Sequence, residues 1–149
     1  MRKKFFILLS LIILLVVFVF VLSSKKQTIP TATIDGVKFN LDIARTQSQQ
    51  EKGLAIYNSL PKNKGMLFPF PKPDYYAFWM KDMKFPIDII YIRQSRIVTI
   101  FSDVLNPASP SAPLPILRPN APSDTVLEIN AGLSNKYGFK KGDFVQLNY

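Results

Sequence analysis

The sequence predicts an α+β fold: a small domain of mostly antiparallel strands curled into a barrel-like or sandwich-like sheet, preceded by an N-terminal transmembrane helix. The first observation is three successive strand-like segments with short connections, at Tyr76–Lys81, Pro86–Arg93 and Arg96–Ser102. Aromatic and β-branched residues favour strands, and sequential strands joined by short turns usually pair antiparallel. The second is that helical patterns are few, with one short helix near Gln47–Lys52 and a helical turn near Ala131–Tyr137.

Turn and capping signals place the elements of the N-terminal half. Asp35-Gly36 lies between apolar flanks and predicts a hairpin centred there. Thr46 and Ser48 are both candidate N-caps, because each is followed three residues later by a Gln or Glu. The helix within Thr46–Tyr57 is therefore expected to end near Gly53.

A proline-rich segment, Asn106–Pro122, precedes the last elements. Its six prolines in seventeen residues exclude a central strand or a helix interior. It is either a rigid surface loop or a lip over a pocket or a partner-binding segment, because long loops in compact domains are often functional. After it we expect strands at Thr125–Ile129 and Asp143–Leu147, with a helical turn capped by Asn130 between them.

The N-terminus has the composition of a membrane-targeting segment. Arg2, Lys3 and Lys4 precede an apolar run from Phe5 to Leu22 that only Ser10 interrupts. As a helix rising about 1.5 Å per residue, this run spans roughly 27 Å, close to the bilayer hydrocarbon thickness of about 30 Å. We expect an uncleaved anchor, with a cleaved signal peptide and a buried core helix as the alternatives.

The charges that flank the apolar run set the expected orientation. Basic residues are more numerous before the run than after it, which favours an N-terminus in the cytoplasm. Residues 1–26 are then a single-pass anchor in the cell membrane with the start of a linker. Residues 27–149 are expected to form one β-rich domain outside the cytoplasm. The lipid bilayer is the partner predicted for the N-terminal helix.

Cysteine and histidine are both absent from the sequence. Their absence excludes disulfides, Cys/His zinc sites and catalysis by Ser-His-Asp or Cys-His groups. No metal and no cofactor is predicted, since no stretch has the dense Asp and Asn spacing of a calcium loop. Five of the nineteen basic residues lie in the first 26, so residues 27–149 carry a net charge of +4, which does not predict nucleic-acid binding.

Asp88 is the first candidate site residue, because it is a carboxylate in a strongly apolar strand. It shares a strand face with Ile90 and Ile92, and the residues between them are apolar too, so the strand is expected to be covered on both sides. Burying an unpaired charge costs several kcal/mol or more. A hairpin centred near Lys84 would place Lys81 opposite Asp88. The predicted pair is either a structural ion pair or a functional pair in a pocket.

Trp79 and Glu128 complete the candidate set. Trp79 and its aromatic neighbours belong either to the core or to a wall on which a ligand stacks. Glu128 shares a strand face with Val126 and is expected to point into a partly enclosed space. The candidate ligand-binding residues are Trp79, Lys81, Asp88 and Glu128. Asp88 and Glu128, with Lys81, are the candidate catalytic residues, because two carboxyl groups with different pKa values can hydrolyse a glycosidic bond.

FWMK at Phe78–Lys81 and FPIDII at Phe85–Ile90, together with several other motifs in the same order, resemble those of an uncharacterised prokaryotic family, domain of unknown function 192 (DUF192). The central match is FWMK at Phe78–Lys81 followed by FPIDII at Phe85–Ile90, which is similar to the family pattern FWMKNT and IPLDIIF. Further matches lie at Lys52–Leu54, Gly65–Phe68, Val126–Glu128, Ala131–Gly132 and Lys141–Asp143. The resemblance extends from about Phe39 to the end, although Asp82-Met83 stands where Asn-Thr is usual. It implies a compact β-rich domain, often exported, without an established reaction.

Together these observations predict a membrane-anchored extracytoplasmic module that binds a ligand or takes part in envelope assembly. Its expected partner is an envelope polymer or an envelope protein. The alternative is a carboxylate-based hydrolase of cell-envelope glycans, so whether the chain is an enzyme stays open, and a purely structural envelope component is a third hypothesis. An open cavity that joins the four candidate side chains would favour ligand binding or catalysis over a structural role.

Overall fold

The structure, a computed structural model, describes Phe6, residues 11–16, Phe18, and residues 29–109 and 111–149. Within these residues, seven strands form one curled sheet: β1 (Thr31–Ile34), β2 (Val37–Ile43), β3 (Lys64–Asp74), β4 (Ile87–Arg93), β5 (Arg96–Val104), β6 (Ser123–Asn130) and β7 (Val145–Asn148). The helices are α1 (Gln47–Lys52), a 3₁₀ helix (Gly53–Ile56) and α2 (Leu133–Tyr137). The predicted α+β class and the predominance of strands are confirmed.

The sheet has the order β5-β4-β6-β3-β2-β1-β7, and its two edge strands approach each other. Arg96 of β5 forms a bridge with Phe144, just before β7, and the N–H of Val145 donates to the carbonyl of Ser95 at 2.8 Å. This contact gives the sheet its barrel-like form. The strands pair antiparallel except for β2 and β3, which are parallel and are connected through α1 and the 3₁₀ helix.

Side-chain alternation along the central strands builds two apolar cores, one on each face of the sheet. On β4, Ile90 and Ile92 belong to one core, whereas Ile87, Ile89 and Tyr91 belong to the other. All five side chains are almost completely buried. The prediction that β4 is covered on both faces is therefore confirmed.

Two local signals are confirmed in detail. Asp35 and Gly36 occupy the β1–β2 turn with positive φ angles of 47° and 81°. Thr46 caps α1 in a reciprocal capping box, in which its hydroxyl accepts from the N–H of Gln49 and the Gln49 side chain accepts from the N–H of Thr46. The helix ends at Gly53, as predicted, because φ of 47° and ψ of −142° suit glycine.

The predicted strand at Tyr76–Lys81 is wrong. Both hydrogen-bonding edges of β4 are already taken, by β5 and by β6, so a third neighbour has no place beside it. In this segment Phe78 alone makes a bridge, exchanging backbone hydrogen bonds of 2.9 and 2.8 Å with Leu117 in the proline-rich segment. The rest of the segment crosses over one face of the sheet.

Two further expectations need correction or lie outside the described residues. Asn130 does not cap α2: Gly132 takes that position, and the Asn130 side chain donates to the carbonyl of Leu60 at 2.8 Å.

Of the predicted membrane span Phe5–Leu22, only eight residues are described; they are helical and exposed. Among the described residues, no helix combines the length and the hydropathy needed to cross a bilayer.

Candidate functional site

Glu128 is a buried carboxyl group on the β6 strand. It shares its sheet face with Val126, as predicted, and is only 5% exposed. The N–H of Leu54 donates to the carboxyl, but Oε2 has no hydrogen-bond partner within the described chain. Burial raises the pKa of Glu128 to about 8, so the carboxylic acid form predominates at neutral pH.

The turn between α1 and the 3₁₀ helix brings the chain up to this carboxyl group. Gly53 lies so close that a Cβ atom there would sit 3.6 Å from Oε2 of Glu128 and 3.5 Å from the ring of Phe68. Its positive φ aims the N–H of the next residue, Leu54, at the carboxyl. Beneath it, Gly65 on β3 allows the two backbones to meet, since a Cβ there would come within 2.8 Å of the Glu128 carbonyl oxygen.

An open cleft of about 250 Å³ lies over Glu128. Its volume is just below the range of about 300–1,000 Å³ typical of drug-sized ligands, so a molecule the size of a sugar unit fits. One wall comes from α1 and the 3₁₀ helix, and the other from the segment between β3 and β4. The lining residues are Gln47, Gln50, Glu51, Lys52, Gly53, Leu54, Phe68, Ala77, Phe78, Trp79, Lys81, Met83 and Glu128.

Trp79 is the exposed aromatic side chain of this cleft. It is 51% exposed, so it is not a core residue, whereas its neighbour Phe78 packs edge-on against Phe68 and Tyr91. The ammonium group of Lys81 lies 5.7 Å from the centre of the indole ring. The sequence left two alternatives for this aromatic group, a place in the core or a wall on which a ligand stacks. Phe78 lies in the core, whereas the exposure of Trp79 is compatible with the stacking wall.

The proline-rich segment reaches the same tryptophan from the other side. Ile116 and Arg118 line a second cavity, of about 210 Å³, together with Ala77, Phe78 and Trp79. The hydroxyl of Tyr91 donates to the carbonyl of Leu117 at 3.3 Å, which ties the segment to the core. A part of the segment thus borders Trp79, as expected of a lip beside a pocket.

Asp88 does not belong to the cleft, and its predicted ion pair with Lys81 is wrong. The Asp88 carboxylate is fully buried and accepts three backbone N–H groups: those of Asp103 at 2.8 Å, Gly132 at 3.0 Å and Ser134 at 2.7 Å. Lys81 is exposed and contacts Trp79 instead. Asp88 therefore joins β5 and the start of α2 to β4 and has a structural role.

The strand register also separates Asp88 from Glu128. Asp88 pairs with Ile129, and Ile89 pairs with Glu128, so Glu128 shares its face with Ile89. Asp88 lies on the opposite face of the sheet. The two carboxyl groups cannot flank one glycosidic bond, and the predicted catalytic pair is wrong. The structure brings three of the four candidates together: Trp79, Lys81 and Glu128.

Sequence reasoning missed the groups that α1 and the 3₁₀ helix contribute to the cleft. The sequence places Glu51 in the helix, and Lys52 in the helix and in a family motif, but it assigns neither to the cleft that both line. A polar cluster behind this helix was also missed: Asp42 accepts from the Tyr57 hydroxyl and pairs with Lys64 at 2.8 Å. No motif marks these contacts, since their members lie 15 to 22 residues apart in the chain. In the described part of the chain, no three acidic side chains cluster so that they could hold a metal ion.

Comparison with solved structures identifies the same fold in two bacterial proteins. A protein of unknown function from Novosphingobium aromaticivorans DSM 12444 is 32% identical, with a TM-score of 0.70, and the match covers 80% of this chain and 84% of that one. A "putative transcription regulator" from Sinorhizobium meliloti 1021 is 25% identical, with a TM-score of 0.70, and the match covers 79% and 91%. No curated protein matches the chain.

The family comparison agrees with the motifs. The family model of DUF192, described as "Uncharacterized ACR", matches residues 30–147. This range contains the whole sheet up to β7 and every residue that lines the cleft. The chain belongs to the DUF192 family.

Proposed function

We propose that the protein is a ligand-binding module of the cell envelope, in which the cleft between Trp79 and Glu128 holds a sugar unit of an envelope glycan. One observation carries the proposal: a half-exposed tryptophan lies over a cleft lined by a buried carboxyl group, one oxygen of which has no hydrogen-bond partner among the described residues. An exposed aromatic ring suits the flat apolar face of a sugar, and the polar rim suits its hydroxyl groups.

Glu128 supports a binding role because its Oε2 atom has no hydrogen-bond partner among the described residues, so the cost of burying it is not offset by a hydrogen bond there. Leaving a buried polar group without a hydrogen bond costs about 1–3 kcal/mol. A perturbed carboxyl group in a cleft is a common property of functional sites. Glu128 belongs to the lining of the cleft, where a bound ligand would contact it. Asp88, by contrast, is satisfied by three backbone N–H groups and needs no ligand.

Binding is tested by calorimetric titration of the full chain in a sugar-free polyoxyethylene detergent. The probes are β-1,4-linked tetramers of glucose and of N-acetylglucosamine. We expect at least one tetramer to bind, and Trp79→Ala to weaken that binding at least tenfold. Tyr75→Ala is the matched control, since Tyr75 is 50% exposed but does not line the cleft. No binding of either tetramer, or equal losses in both variants, would refute the proposal.

A membrane tether is the second part of the proposal. It is supported by the apolar run from Phe5 to Leu22 and by the three basic residues before it. The lipid bilayer would hold the chain through this run, with residues 27–149 outside the cytoplasm. Protease added to intact spheroplasts should then digest the domain. Digestion only after lysis would place the domain inside the cell and contradict this part.

A specific observation favours a hydrolase as the second candidate function. Glu51 lines the same cleft as Glu128, so two carboxyl groups in different environments face one space, the first exposed and the second buried. In a glycoside hydrolase, one carboxyl group acts as the acid and the other as base or nucleophile. Release of reducing ends from the tetramers, lost in Glu128→Gln while binding persists, would support hydrolysis. Binding without turnover in the wild type would exclude it for these glycans.

A further inference from the structure

Trp79 lines two further cavities besides the cleft over Glu128. One is the cavity of about 210 Å³ at Ile116, and the other has a volume of about 560 Å³ and is bordered by Ile56. We refer to them as the Ile116 cavity and the Ile56 cavity. The Ile116 cavity is nearly as large as the cleft, with its volume of about 250 Å³, and the Ile56 cavity is larger. If the cleft holds one sugar unit, each flanking cavity has room for another.

Shared walls give the order of the three spaces. Four described residues line both the cleft and the Ile56 cavity, and three line both the cleft and the Ile116 cavity: Glu51, Lys52, Trp79 and Lys81 in the first case, and Ala77, Phe78 and Trp79 in the second. The two flanking cavities have Trp79 in common and no other described residue. They therefore lie on different sides of the indole, and the cleft joins them into one groove.

Resting on the proposed function, we infer that the ligand is an uncharged linear glycan that lies along this groove and is bound through at least three consecutive sugar units. The central unit stacks on Trp79, and its two neighbours occupy the Ile56 cavity and the Ile116 cavity. The protein then recognises a stretch of polymer instead of a single sugar.

Each flanking cavity has the mixed lining that suits a sugar. Ile56 and Ile116 are both more than half exposed, so each can cover the apolar face of a ring. Lys52 and Asp82 in the Ile56 cavity, and Arg118 in the Ile116 cavity, offer donors and acceptors to the hydroxyl groups. The same combination of an apolar side chain and polar groups thus occurs on both sides of the central cleft.

The charges along the groove favour an uncharged chain. Apart from the buried Glu128, the described charged residues that line the three spaces are all exposed, three basic and two acidic: Lys52, Lys81 and Arg118, and Glu51 and Asp82. A site for a polyanion normally has a larger excess of basic side chains. The hydroxyl groups of a neutral glycan can use both signs of charge as hydrogen-bond partners.

Chain length is the variable that tests the inference. The full chain, in the same sugar-free detergent, is titrated with one to four β-1,4-linked units of N-acetylglucosamine and of glucose. Fluorescence of Trp79, the sole tryptophan of the chain, reports binding. In a series that binds, we expect the affinity to rise at least tenfold from one unit to three. A single-unit site would give only about a threefold rise, from the choice among three equivalent units.

Two substitutions outside the cleft locate the flanking units. Ile56→Ser and Ile116→Ser each remove an exposed apolar contact at one end of the groove, and neither isoleucine lines the cleft. Each should weaken binding of the trimer at least fivefold and change the affinity for a single unit less than twofold. Leu105→Ser is the matched control, since Leu105 is exposed and lines none of the three spaces, and it should leave trimer binding unchanged.

The outcomes distinguish this inference from the proposed function. Equal affinity for one and three units, or a trimer affinity that is not lowered in both flanking variants, would overturn the inference. Displacement of the trimer by dextran sulfate, a polyanion, but not by dextran would overturn the uncharged character of the ligand. In each of these cases, binding that is lost in Trp79→Ala would leave the proposed function standing. If no oligomer of either series binds, the proposed function and the inference are both refuted.

Discussion

Replacing Glu128 by glutamine should stabilise the protein at neutral pH. The folded state keeps this carboxyl group neutral, with a pKa of about 8, whereas the ordinary pKa of a glutamate is 4.5. Between these two values the folded state binds a proton that the unfolded state has lost. The free energy of unfolding therefore falls as pH rises from about 4.5 to about 8.

The size of the effect follows from the same two pKa values. Each pH unit in this window lowers the free energy of unfolding by about 1.4 kcal/mol. The free energy of unfolding of the wild type is therefore about 3 kcal/mol lower at pH 7 than at pH 4.5. Glutamine has the same shape and keeps the hydrogen bond from Leu54, but it does not ionise when the chain unfolds. Glu128→Gln should therefore be more stable than the wild type by up to about 3 kcal/mol at pH 7, and about equal at pH 4.5.

Urea unfolding at pH 5, 6, 7 and 8 measures this difference. The wild-type midpoint should fall across the series, whereas the Glu128→Gln midpoint should change much less. Glu51→Gln is the control, since Glu51 lines the same cleft but is exposed, and its substitution should shift stability by no more than about 0.5 kcal/mol. Parallel pH profiles for Glu128→Gln and the wild type would show that Glu128 is ionised in the folded protein and would refute the reasoning.

Two further substitutions test the structural assignments. Asp88→Asn should lower the free energy of unfolding by about 2–4 kcal/mol, because the amide nitrogen would face a backbone N–H and leave it unpaired. Lys81→Met should lower it by less than about 0.5 kcal/mol. Comparable losses in the two variants would indicate that Asp88 and Lys81 form an ion pair after all. Gly65→Ala should lower the free energy of unfolding, measured by urea unfolding, by about 1–3 kcal/mol, since its Cβ would lie 2.8 Å from a backbone oxygen of Glu128. An unchanged midpoint would show that β3 and β6 can move apart without loss of stability.

The elements that the sequence predicts correctly depend on contacts between neighbours in the chain. The Asp35-Gly36 turn needs only the positive φ angles that these residues tolerate, and the Thr46 cap needs only Gln49 three residues later. The burial of Ile87–Ile92 on both faces follows from an apolar run that only Asp88 interrupts. Each of these signals lies within a few neighbouring residues, so the sequence alone is enough to predict the element.

The wrong or missing strand predictions concern segments whose structure depends on pairing with segments that are distant in the sequence. No strand is predicted over β3, whose second half contains Pro69, Pro71 and Pro73, yet its first half lies in the middle of the sheet. The pairing between β3 and β6 shifts register after Pro69, where the prolines are concentrated. The Tyr76–Lys81 segment has strand-like composition but no open edge on β4 to pair with.

The candidate site was predictable only in part for the same reason. Alternation along β6 correctly placed Glu128 on the face of Val126. The N–H that reaches it comes from Leu54, and the partners of Asp88 come from Asp103, Gly132 and Ser134. These groups are backbone atoms from distant segments, so no residue type in the sequence marks them. A hairpin centred near Lys84 predicts Lys81 opposite Asp88, but no such hairpin forms, so the sequence assigns Lys81 to the wrong carboxylate.

A crystal structure of the complex with the N-acetylglucosamine tetramer tests the central claim most directly. The account predicts a sugar ring against the indole of Trp79, inside the cleft that Lys81 and Glu128 also line. A tetramer bound elsewhere on the surface, with the cleft over Glu128 still empty, would contradict it.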